Sequence, residues 1–168
     1  MDRMEERMGR LIVLLTIVVS GCGPYYTDPR SFRGVEGELG YYVSIFETLH
    51  GRKIDTPSVS FSDLPYPQVG LCKLYSSGYW EVKIDRTYWS KTSHESKIGL
   101  VLHELGHCVL RRGHDDTFMV NNNYQAPKSL MYPYNFYDRN YLFMWDYYAK
   151  ELFQPGIQFK GKTITIVN

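Results

Sequence analysis

The pentapeptide His103-Glu104-Leu105-Gly106-His107 constrains this chain more than any other feature in it. Histidines four residues apart project from one face of a helix, one turn apart, so both imidazoles can reach a single metal ion. The flanking sequence predicts that helix. Thr92 and Glu95 form a capping box, the hydroxyl closing the first turn and the carboxylate reaching back. Ile98, Val101, Leu102, Leu105 and Val109 recur at helical spacing as a buried stripe that leaves the histidines outside it. Gly113 tolerates the left-handed conformation at a helix end, so the helix is expected to run to about Arg112.

Zinc suits imidazole ligands and keeps a coordination position for water in catalytic sites. Glu104 stands between the two histidines, where its carboxylate can reach such a water rather than the metal. Zinc brings the pKa of that water down to about 7. Glu104 is therefore the candidate general base, taking the proton as the water attacks a carbonyl and passing it to the leaving amine. His114, directly after Gly113, is the candidate third ligand. Asp115 and Asp116 are alternatives there, or partners that orient an imidazole. Glu151, the only Glu after Glu104, is a further alternative; it predicts that Glu151→Ala loses zinc and His114→Ala keeps it.

The run HELGHCVLRRGHDD, with Ser129-Leu130-Met131-Tyr132-Pro133 downstream, resembles the metzincin zinc peptidases. SLMYP is most similar to the matrix metalloproteinase form of their methionine turn. The pieces VGLC, VKID, HELGHC and SLMYP are also similar to small bacterial metallopeptidase-like lipoproteins. The resemblance is strong over residues 103–133 and looser from about residue 70. It implies an α+β, zincin-like fold: a small mixed β-sheet, an active-site helix and a C-terminal helix. It implies peptide hydrolysis, with His103, His107 and His114 as zinc ligands and Glu104 as base. Met131 would pack under the metal without binding it. Tyr132, Pro133 and Tyr134 would wall a substrate side-chain pocket; plain core is the other reading of these aromatics. An extended peptide would pair with a sheet edge, expected at 79–85. One departure stands out. Metzincins place five residues between the second and third histidines, with glycine third. Here CVLRRG intervenes, Leu110 takes the glycine position and Gly113 adjoins the histidine, implying a helix one turn longer.

Leu11 to Val19 is an unbroken apolar run, too short for a bilayer span of about 20 residues but suited to the core of a secretory signal. It leads into Val19-Ser20-Gly21-Cys22, which resembles the bacterial lipobox. That resemblance implies a signal peptide over 1–21, a lipidated Cys22 with a tether to 33, and one peptidase domain over 34–168. It places the protein at the bacterial cell envelope, held by its lipid, and Gly23 after the cysteine favours the outer membrane. Cys72 and Cys108 remain. An exported pair can oxidise, so a disulfide between a strand and the active-site helix is expected, with two buried thiols as the alternative.

With 19 Lys+Arg against 18 Asp+Glu, the chain lacks the basic field that nucleic acid requires. The expected partners are a peptide or protein substrate and the membrane. The non-enzymatic alternative is a zinc-bearing envelope lipoprotein that binds a peptide or protein. Elsewhere the pattern predicts a helix over 35–50, a strand over 57–62, and a hairpin of 70–75 and 79–85 about Ser76-Ser77-Gly78. A long polar loop over 114–137, a helix over 139–153 and a terminal strand over 157–167 complete the expectation.

Overall fold

The structure is a computed structural model that describes residues 34–55, 58–121, 124–134 and 144–156. The expected signal peptide, Cys22, the tether and the terminal strand lie outside the described residues. In chain order the elements are β1 (Gly34–Val35), α1 (Leu39–His50), β2 (Ser58–Ser62), β3 (Gly70–Leu74), β4 (Trp80–Asp85), α2 (Arg86–Lys91), α3 (His94–Cys108), β5 (Phe118–Asn121), β6 (Tyr124–Pro127) and α4 (Trp145–Phe153). No helix among the described residues is long and apolar enough to cross a membrane.

This is an α+β arrangement around a small mixed sheet of order β1-β2-β4-β3. β1, β2 and β4 run parallel, and β3 runs antiparallel to β4. The parallel step from β1 to β2 carries α1 as its crossover, as parallel pairs require. The alternation in the strands sorts the two faces. Val59, Phe61, Val82, Ile84 and Cys72 fall on one face by register. Val59, Val82 and Ile84 there are fully buried under the helices. The other face is polar. Glu81 lies there, buried yet paired, accepting from the Tyr75 hydroxyl at 2.7 Å and facing Lys83 at 3.2 Å. α1 contributes Leu39, Tyr42, Val43 and Phe46 to the common core and packs against α3.

Several expectations are corrected. The N-cap of α3 is Ser93, whose hydroxyl accepts from the Ser96 amide at 3.2 Å; Thr92 instead ends α2, a helix the pattern did not reveal. α2 has its own cap, with Asp85 accepting from the Tyr88 amide at 2.7 Å. The Tyr88 amide, with that of Leu64 at 3.0 Å, holds the Asp85 carboxyl below its usual range. α3 is buried nearly all round from Leu100 to Gly106, so His103 and Glu104 lie inside rather than beside a stripe. The hairpin arm expected at an edge, β4, is interior to the sheet, between β2 and β3; β3 is the edge strand. The segment read as a long loop contains the β5–β6 hairpin. Of the helix expected over 139–153, the described part is Trp145–Phe153, and residues 139–143 lie outside the described residues.

The end of α3 differs most in mechanism. The helix stops at Cys108, one turn short of the expected Arg112 and without the extra turn. Arg111, not Gly113, takes the left-handed conformation, at φ 57°. The Arg112 amide then donates back to the Gly106 carbonyl at 3.1 Å. A non-glycine residue in this conformation costs about 1–2 kcal/mol. Glycine would relieve that cost but would lose more backbone freedom on folding. Arg111→Gly is therefore expected to stabilise the protein by up to about 1 kcal/mol in urea unfolding, with metal content unchanged. A loss of stability would show that the arginine side chain holds the turn.

Cys72 on β3 and Cys108 at the end of α3 form a disulfide, with Cα atoms 5.6 Å apart and 36 residues between them in sequence. Closing a loop of that length stabilises by about 4 kcal/mol in the chain-entropy treatment. It also ties the edge strand to the helix that carries the histidines.

Candidate metal centre

His103 and His107 reach the same point from successive turns of α3. His114 arrives from the chain that turns back through Arg111. His103 Nδ1 lies 2.9 Å from the Leu130 carbonyl, and His107 Nδ1 lies 2.6 Å from the Arg112 carbonyl. A carbonyl only accepts, so both Nδ1 atoms carry the proton and both Nε2 atoms present lone pairs. Those lone pairs converge. His103 and His107 Nε2 are 3.0 Å apart, and His114 Nε2 is 3.3 Å and 3.1 Å from them. Facing lone pairs at this range repel unless a cation lies among them. Nitrogen ligands at about 2.0–2.1 Å from a tetrahedral ion would stand about 3.3 Å from each other. The triangle therefore fits a metal ion.

Protonation supports the same state. Burial pushes the His103 pKa down to about 3, and the neighbouring His107 adds to the effect. Burial also lowers His107 and His114. Neutral imidazoles are the metal-binding form. These three are the one group of metal-ligating side chains brought together among the described residues. Asp115 is not part of it; its carboxylate accepts from the Thr117 amide at 3.0 Å. Glu151 is not part of it either, which corrects the alternative ligand set. It is buried and engaged by Ser129 and the Leu130 amide.

Glu104 is 6% exposed, and burial raises its carboxyl pKa to about 8 against the opposing donation of the Cys72 amide. Its carboxyl lies directly over Gly70, where a Cβ would overlap it. Strand β3 can approach α3 this closely only because residue 70 has no side chain. Met131 is fully buried beneath the helix. A Cβ at Gly106 would meet Met131 Sδ at 2.6 Å, so this glycine admits the methionine under the turn between the two histidines. Beside the triad lies a cleft of about 200 Å³, lined by His103, Glu104, His114, Gly70, Tyr132, Pro133 and Tyr134 among others. Tyr132 packs edge-on to Phe118 and to Tyr134, and Tyr134 is 70% exposed at the rim.

Gly70, Phe118 and the pairing of Arg112 with Glu151 were not anticipated. A glycine opening a strand is a weak sign of close approach. Nothing local in the sequence links positions 112 and 151. Comparison with protein-family models, with curated proteins and with solved structures finds no match for this chain.

Proposed function

We propose that this chain is a metzincin-like zinc peptidase, lipid-anchored at the bacterial envelope, with Glu104 as general base. The observation that carries the reading is the convergence of three histidine Nε2 atoms beside a buried carboxyl, with His103, His114 and Glu104 lining one cleft. When bound, zinc would supply Lewis acidity and a water acidified to a pKa of about 7. His103, His107 and His114 would hold it. Glu104, buried beside the cleft, takes the proton of the attacking water and returns it to the leaving amine. The Cys72 amide keeps that carboxyl aimed into the cleft. β3 presents an outer edge with which no strand pairs among the described residues, so an extended peptide can add to it beside the triad. Tyr132 and Tyr134 offer an aromatic wall for one of its side chains. The Cys72–Cys108 disulfide favours an oxidising compartment, as export implies.

The test is zinc content by elemental analysis and cleavage of a mixed peptide library read by mass spectrometry, on the full chain and on Glu104→Ala. Zinc in both with cleavage by the wild type alone supports the peptidase. Zinc in both with cleavage by neither favours the peptide-binding lipoprotein. No zinc in either overturns the metal site.

Gly70→Ala makes a second expectation. Its new Cβ must displace the Glu104 carboxyl, and misplacing a catalytic group by about 1 Å costs on the order of 100-fold. Turnover is expected to drop by about 10–100-fold at wild-type zinc content. Unchanged kinetics would mean that β3 yields instead.

A further inference from the structure

Two of the three candidate ligand imidazoles are aimed by backbone carbonyls, and both carbonyls lead to one side chain. His107 donates to the carbonyl of Arg112, and His103 donates to that of Leu130. Arg112 is held from its other end. Its guanidinium donates to the Glu151 carboxylate, to the Ser129 hydroxyl at 3.1 Å, and to the Glu151 and Leu152 carbonyls at 3.0 Å each. The Leu130 carbonyl shares a rigid peptide plane with the Met131 amide, and that amide donates to Ser129 Oγ at 2.9 Å. Ser129 in turn donates to the Glu151 carboxylate at 3.0 Å. The Leu130 amide donates to Glu151 Oε2 at 3.1 Å. Glu151 is 3% exposed, on α4, more than twenty residues beyond either segment it holds.

We propose that Glu151 is a positioning residue for the metal centre: with Arg112 and Ser129 it fixes the two carbonyls that set the tautomer and direction of His107 and His103. It rests on the metal-site reading above. A buried carboxylate with a guanidinium, a hydroxyl and an amide as partners is fully satisfied, so its charge costs little in place and much when a partner is lost. Its chemistry is to hold donors rather than to touch substrate. α4 thereby belongs to the metal site though it carries no ligand.

The test uses the full chain, with zinc affinity measured by competition against a chromogenic chelator and the cobalt(II) form examined by visible absorption. Glu151→Gln keeps the shape, removes the charge and places an amide against Arg112. It is expected to weaken zinc binding by about 10–100-fold and to shift the cobalt(II) bands. Val59→Ala, a core truncation in β2, serves as the stability control. It is expected to lower the melting temperature with affinity and spectrum unchanged. Ser129→Ala, which removes the hydroxyl that links the Met131 amide to Arg112 and Glu151 but leaves the Arg112–Glu151 pair in place, is expected to reproduce the weakening in part and decides the matter if Glu151→Gln does not fold. Wild-type affinity and an unshifted cobalt spectrum in the folded variants would overturn the positioning role and leave the metal site standing. A wild type that binds no zinc would overturn both.

Discussion

Glu104→Gln is expected to reduce peptide hydrolysis by about 10²–10⁴-fold, the usual contribution of a general base, while zinc stays bound. The same substitution makes a second, thermodynamic prediction on chelator-treated protein. In the folded chain burial raises the Glu104 pKa from 4.5 to about 8. Below pH 4.5 the carboxyl is protonated in both the folded and unfolded states, and it contributes nothing to the pH dependence. Between pH 4.5 and 8 the unfolded chain releases the proton and the folded chain keeps it, so stability falls as pH rises. Above pH 8 the full penalty is present. Glutamine removes the ionisation. The gain in stability of Glu104→Gln over wild type should thus be small at pH 4, grow to pH 8 and then level off, as read by urea unfolding across pH. A difference independent of pH would show that the carboxyl is solvated or paired in the folded state. His103 works in the opposite sense. Its folded pKa is near 3, so the unfolded chain binds the extra proton and stability falls as pH drops from 6.5 towards 3.

His114→Ala is expected to weaken zinc binding by at least about 100-fold, with little effect on the metal-free fold. His114 is exposed, outside the helices, so its loss leaves the core intact. Its Nε2 nevertheless completes the triangle with His103 and His107. Ligand binding to the folded state stabilises by about 2.7 kcal/mol at a hundred times the dissociation constant. At a zinc concentration that raises the wild-type melting temperature, His114→Ala should therefore show almost no zinc-dependent rise. Glu151→Ala separates this from the ligand set in which Glu151 replaces His114. It should retain a weakened zinc response, because Glu151 orients backbone rather than meeting the triad. Full zinc response in His114→Ala would mean that His103 and His107 recruit another third ligand.

The parts of the fold that were legible are those governed by local periodicity. The i, i+4 spacing of His103 and His107 is the pitch of a helix, so their shared face followed once the helix was recognised. Alternation puts Val59 and Phe61 on one face of β2 and Val82 and Ile84 on one face of β4, and the register makes that a single face of the sheet. Alternation carries no information on strand order. The 79–85 arm of the hairpin alternates whether it lies at an edge or inside the sheet, and only the pairing of β4 with β2 shows that β3 is the edge. The stop of α3 was misplaced because glycine is the usual marker of a left-handed residue, and here Arg111 takes that conformation while Gly113 does not.

The sequence by itself determined which side chains could hold a metal: three histidines and one glutamate within twelve positions, on a helix whose pitch is a property of the backbone. The tertiary structure alone decided how they are used. It buried Glu104 against Gly70, which raised its pKa. It brought Leu130 and Arg112 to the imidazoles as acceptors, and it placed Glu151 behind both. The reason is physical. Residue type and short-range spacing set what a group can do, whereas tautomer, proton affinity and aim depend on the partners and the solvent that surround it. Those partners come from segments far apart in the chain.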